Sequence, residues 1–132
     1  MTNTPLHKKL GIKESTQVRL VNAPTGFDRA LGRLPTGASL SERSKKSDVI
    51  VFFTASRADL EKQFEKLARA LDPAGGLWIA WPKKASGVET DLSQTEVMEV
   101  GLASGLVDNK VCAIDDTWSG LRFVVRKENR PR

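Results

Sequence analysis

The 132-residue chain contains a single cysteine and a single histidine. One thiol cannot close an internal disulfide, so nothing calls for an oxidising compartment. Cys/His chelation of a metal is excluded by count. Cys112 or a serine nucleophile lacks an activating imidazole, because the only histidine, His7, lies near the chain start. No apolar run approaches the roughly 20 residues that a membrane helix needs, and Met1 to Lys9 lacks the apolar core of a secretion signal. No dense Lys/Arg run, zinc-finger spacing or aromatic RNA-binding motif occurs, so neither nucleic acid nor a membrane is an expected partner. These absences leave one domain, expected in the cytoplasm, that is long enough to bury a core unaided.

What is present is ordinary in amount: 39% hydrophobic and 28% charged residues suit a globular core with a charged surface. The formal charge of +5 gathers at the ends, in Lys8, Lys9 and Lys13 and in Arg126, Lys127, Arg130 and Arg132. Residues 1–16 are expected to form a flexible lead-in, 17–127 a single α/β domain, and 128–132 a flexible basic tail.

Gln17 to Val21 alternates and is rich in Val and Leu, as a strand requires. Pro24 and Gly26 break it, a short helix is expected over Phe27 to Leu31, and Ala38 to Arg43 reads as a short polar edge strand. Asp48 to Thr54 is almost wholly apolar, as in a strand buried on both faces of a parallel sheet. Ser56-Arg57-Ala58-Asp59 is a variant capping box opening an amphipathic helix through Leu60, Phe64, Leu67 and Leu71, ended by Asp72-Pro73-Ala74-Gly75-Gly76. Gly76 to Trp81 is another strand. Ser93-Gln94-Thr95-Glu96 reads as a capping box for a second helix, with Gly105 its stop. Lys110 to Ile114 and Leu121 to Val125 have hairpin spacing. Alternating strands and helices predict an α/β fold with a mostly parallel sheet, right-handed crossovers, helices on both faces and a C-terminal antiparallel hairpin.

Asp48 to Phe53, the Leu71-Asp72-Pro73-Ala74-Gly75-Gly76 turn, Leu77-Trp78-Ile79 and the closing hairpin resemble the second half of a class I methyltransferase fold. The resemblance implies a Rossmann-like domain and S-adenosylmethionine as an alternative cofactor. In that family a glycine-rich turn follows the first strand; here the segment is Asn22-Ala23-Pro24-Thr25-Gly26, so an atypical pocket would use Asn22, Thr25, Gly26 and Thr54. Glu42 is the nearest counterpart of the family's ribose-binding acid. More narrowly, Trp81 to Gly87, Thr90-Asp91-Leu92 and Asp115 to Leu121 resemble segments of a bacterial family of small uncharacterised proteins, which implies a fold more than an activity.

Ligands of open α/β sheets bind beyond the carboxyl ends of the parallel strands. Two loops rich in Trp, Lys, Asp, Ser and Gly are expected there, Trp81 to Gly87 and Asp115 to Gly120. The candidate ligand-binding residues are Trp81, Lys83, Lys84, Ser86, Asp115, Asp116, Trp118 and Ser119. The lysines would hold an anionic group while Trp81 and Trp118 form an aromatic wall; alternatively the same residues are a structural lock of ion pairs and turns. Trp78 reads as core, and Cys112 as a buried thiol. The first reading is a non-catalytic binding or regulatory module without a cofactor, its partner a small anionic ligand or a protein. The alternatives are a methyltransferase and a subunit that docks a larger enzyme.

Overall fold

The structure, a computed structural model, describes residues 5–40 and 46–129. In chain order these form α1 (Leu6–Lys9), β1 (Gln17–Val21), α2 (Phe27–Leu31), β2 (Ser39–Leu40), β3 (Ser47–Phe53), α3 (Arg57–Ala70), β4 (Leu71–Pro82), α4 (Gln94–Ala103), β5 (Leu106–Ala113) and β6 (Trp118–Val125). The strands form one sheet in the order β2-β1-β3-β4-β6-β5. The first four are mutually parallel, whereas β6 runs antiparallel to both β4 and β5. The α/β architecture, the mostly parallel sheet and the closing hairpin are those expected from the sequence.

Two cores flank the sheet. On one face Leu60, Phe64 and Leu67 of α3 and Val97 and Val100 of α4 pack on Ile50, Phe52, Leu77, Ile79 and Phe123. α4 comes close because it carries Gly101 against Phe123: an added Cβ would sit 2.0 Å from the Phe123 ring. On the other face Leu10, Ile12, Phe27 and Leu31 cover Val49, Val51, Phe53 and Trp78.

The second core corrects the expected flexible lead-in. From Pro5 onward the segment is packed: Leu10 and Ile12 are 0% and 2% exposed. Fully buried Trp78 donates its indole N–H to the Leu10 carbonyl at 3.0 Å, because a buried N–H without an acceptor forfeits its hydration. Lys110 Nζ adds an exposed contact to the Lys9 carbonyl at 3.1 Å. At the other end Lys127–Asn129 form a 3-10 turn.

The turn expected at 72–76 is a bulge within β4 rather than a break before it. Ser47 pairs with Leu71 and Val49 with Gly76, so the residues between loop out, held by the Asp72 carboxylate accepting from Ala74 N–H at 2.9 Å. Gly75 is obligatory there, since a Cβ would lie 2.2 Å from the Asp48 carbonyl oxygen. The capping box at Ser56 forms, with its hydroxyl accepting from Asp59 N–H at 3.2 Å. The one expected at Ser93 does not, because its hydroxyl donates to the Glu96 carboxylate and caps no backbone group.

Trp78→Phe removes the indole N–H and part of the ring, orphaning the Leu10 carbonyl and opening a void; we expect a loss of at least about 1–3 kcal/mol, read from urea denaturation. Gly75→Ala drives Cβ into backbone that cannot yield as a side chain would, and should destabilise by at least about 1–3 kcal/mol in the same assay.

Candidate functional site

Parallel strands end together, so the loops after β1, β3 and β4 share one edge. β5 is parallel to β4 through the intervening β6, which brings the 114–117 hairpin turn to that edge as well.

The two Trp-containing loops meet. Pro82 lies opposite Trp118 and Trp81 opposite Ser119, and Lys83 N–H donates to the Thr117 carbonyl at 2.8 Å. The same register separates the rings. Residues directly opposite in an antiparallel pair share a face and neighbours along a strand alternate, so Trp81 and Trp118 project from opposite faces. Trp81 is 6% exposed in the α3/α4 core; Trp118 packs edge-on against Phe53, centroids 5.2 Å apart, in the other. The expected aromatic wall is therefore corrected: the sheet lies between the two rings. Ser119, half-buried, shares the Trp81 face.

The expected lysine–aspartate ion pairs are corrected too. Among the described residues Lys83 and Lys84 make no ion pair; the salt bridges join Arg57 to Glu61 and Glu99. The Asp115 carboxylate instead accepts from the N–H groups of Thr117 and Trp118, each at 2.8 Å, closing its own turn. Asp116 is exposed. Ser86 is likewise committed, donating to the Lys83 carbonyl at 2.6 Å and accepting from Val88 N–H at 3.1 Å. What remains outward is Lys84, exposed, and Lys83, half-buried, on a loop whose backbone is pinned.

Sequence reasoning missed how that loop is anchored downstream. Thr90 donates its hydroxyl to the Ala55 carbonyl at 2.6 Å, and Asp91 accepts from Arg57 N–H at 2.8 Å at the start of α3. Arg57 in turn donates to Glu99 at 3.0 Å, which holds its guanidinium above the ordinary range. The signal was a Thr placed to donate to the Ala55 carbonyl and an Asp placed to accept from the helix start, legible only once the partner helix is known.

A second feature lies at the other end of the edge. An open groove of about 560 Å³ is lined by Leu20, Asn22, Ala23, Pro24, Thr25, Gly26, Asp28 and Leu40. It gathers three of the four residues assigned to the atypical cofactor pocket. Thr54, the fourth, is buried with its hydroxyl bound to Ser56 backbone and does not line it. Glu42 lies outside the described residues. Asn22 takes φ +57° and Gly26 φ +87°. Asparagine is one of the few side chains that tolerate the left-handed region, so it stands where a glycine was looked for. Asp28, the carboxylate in this lining, was not anticipated. Cys112 is half-buried, and burial pushes its thiol above the ordinary range despite Lys110 and Lys9 nearby, which fits a packed thiol rather than a nucleophile.

No family model matches the sequence, and no curated protein matches it. Solved structures do. A SAM-dependent methyltransferase from Aquifex aeolicus superposes with a TM-score of 0.61 at 16% identity, over 88% of this chain and 85% of that one. The fold is Rossmann-like and methyltransferase-like. The complex of DhpI with SAH gives a TM-score of 0.65 at 14% identity, over 97% and 83% of the two chains. A magnesium protoporphyrin IX methyltransferase from Synechocystis with bound SAH gives 0.56 at 10%, over 91% and 78%. No helix among the described residues is long and apolar enough to cross a membrane.

Asp115→Ala removes the acceptor of two turn N–H groups and should cost about 1–2 kcal/mol in a denaturation series, with Asp115→Asn recovering part of it. The Ser93 hydroxyl holds the Glu96 carboxyl below its ordinary range. This contact stabilises above the unfolded-state value and is lost as the pH falls through the folded one. Carboxyl-carbon NMR titration of Ser93→Ala should show Glu96 moving up toward the ordinary range.

Proposed function

We propose that this chain binds S-adenosylmethionine, or S-adenosylhomocysteine, in the groove beyond β1 and β2, as a methyltransferase with an atypical pocket. The observation that carries it is a groove of about 560 Å³ at the carboxyl edge of a sheet whose solved neighbours include a methyltransferase with SAH bound and DhpI in complex with SAH. Volume and lining fit the nucleoside portion. Small-ligand pockets run to about 300–1,000 Å³ and combine apolar walls with a few polar groups. Leu20, Leu40 and Pro24 offer apolar surface to a planar base, and Asn22, Thr25 and Asp28 offer an amide, a hydroxyl and a carboxylate. When bound, the cofactor would supply an electrophilic methyl group; the chain's part is to hold and orient it.

The geometry favours this reading over a cofactor-free module built on the two Trp loops. In those loops Trp81, Asp115, Ser86 and Trp118 are occupied with packing and turn closure. The likeness of those motifs to a bacterial family of small uncharacterised proteins belongs to the same proposal, as a methyltransferase-like family sharing one rim architecture.

Calorimetric titration with S-adenosylhomocysteine tests it. Binding tighter than about 100 μM, or roughly 5.5 kcal/mol, is expected for the wild type. Leu40→Arg, which places bulk and charge in the groove from an already exposed position, should weaken it at least tenfold without unfolding the protein. Absence of heat for the wild-type protein at high micromolar ligand removes the reading.

A further inference from the structure

We infer that Asp28 makes the groove a reader of charge at sulfur, favouring S-adenosylmethionine, a sulfonium, over S-adenosylhomocysteine, a neutral thioether. This rests on the cofactor reading above and adds to it the residue that tells the two ligands apart.

Asp28 is held in place by what surrounds it in the chain. It is the second residue of α2, which is anchored by Phe27 and Leu31, each 3% exposed. Phe27 packs edge-on against Phe53 with centroids 4.7 Å apart. The turn before the helix is tied into it: Phe27 N–H donates to the Pro24 carbonyl at 3.0 Å, and Arg29 and Ala30 N–H donate to the Gly26 carbonyl, each at 3.1 Å. A short side chain on a backbone fixed in this way loses little freedom when it meets a charge.

The carboxylate is also uncommitted. Asp28 makes no hydrogen bond or ion pair among the described residues, where the ion pairs join Arg57 to Glu61 and Glu99. No other residue lining the groove is ionisable, and Arg29, beside Asp28 in the helix, does not line it. Arg19 alternates with Leu20 along β1 and so projects from the other face of the sheet. It lines an adjoining hollow with Leu20, Val21 and Asn22, to which Asp28 does not contribute. The lining of the groove therefore carries a single charge, and that charge is negative.

The two ligands share a nucleoside and an amino-acid tail, in which ammonium and carboxylate cancel. They differ by one methyl group and one fixed positive charge. On transfer the acceptor's lone pair forms the new bond to carbon, the C–S electron pair stays on sulfur, and the positive charge goes with the methyl group. Leu20 and Leu40 come from neighbouring strands and offer the apolar end of the groove to the base, whereas Asp28 comes from α2, across the Asn22–Gly26 turn. It is left for what extends from the ribose. Even at the dielectric of water, opposite unit charges about 4 Å apart are worth about fivefold in affinity. The product, having lost that charge, leaves more readily than the substrate.

The test is calorimetric titration of the whole protein with three ligands of one nucleoside. These are S-adenosylmethionine, S-adenosylhomocysteine and sinefungin, in which a protonated amine on carbon replaces the sulfonium and no methyl group can be transferred. The wild type should bind S-adenosylmethionine and sinefungin about fivefold or more tighter than S-adenosylhomocysteine, and sodium chloride at about 0.5 M should shrink the ratio. Asp28→Asn should bring the ratio to about one while moving S-adenosylhomocysteine affinity less than about twofold, and Asp28→Glu, which keeps the charge, should retain a preference. Equal wild-type affinities, or a ratio that Asp28→Asn leaves unchanged, overturn the inference and leave the cofactor reading standing. So does an equal loss for all three ligands in Asp28→Asn, which marks a carboxylate bound to the ribose hydroxyls or the tail ammonium that all three share. A wild-type protein that binds none of the three overturns both.

Discussion

β4 is the constraint on which the structure turns. It is paired on both edges, to β3 in parallel and to β6 antiparallel, and buried on both faces from Gly75 to Pro82. A strand so placed leaves no polar group to solvent, so each of its exceptions has to be solved locally. The Trp78 indole is solved by the Leu10 carbonyl, which commits the N-terminal segment to one face. The approach of Asp48 is solved by Gly75. Because β6 returns antiparallel instead of crossing over, the end of β4 meets the tip of the hairpin, and Lys83 N–H finds Thr117. The rim that carries Lys83 and Lys84 thus follows from how the central strand is satisfied.

Much of the fold was legible because its signals are local. β1 and α2 occupy the residues expected, Gln17–Val21 and Phe27–Leu31, and α3 begins at its Ser56 cap. What was not legible depended on partners distant in sequence. Residues 5–16 show no periodicity; they are held by Leu10 and Ile12 meeting a core whose central member is 68 residues away. β5 starts at Leu106 rather than Lys110 because a register shift between Asp108 and Lys110 breaks the alternation that marks a strand. Ser93 and Glu96 have the spacing of a capping box, but spacing does not decide whether the hydroxyl turns to backbone or to carboxylate.

The candidate site divides along the same line. That the two Trp loops share an edge follows from topology alone. That Trp81 and Trp118 lie on opposite faces follows from a one-residue offset in register, which no reading of either loop by itself supplies. The groove was half visible through Asn22, Thr25 and Gly26. Leu20 and Leu40 escaped notice because their common surface exists only when β2 pairs with β1.

The central claim is that the groove beyond β1 and β2 is where this methyltransferase-like fold takes a nucleoside ligand. A crystal structure determined after soaking with S-adenosylhomocysteine addresses it directly. The account predicts density for the nucleoside against Leu20, Asn22 and Leu40. A groove holding only solvent at saturating ligand, or a ligand seated at the Lys83–Lys84 loop with the groove empty, would contradict it.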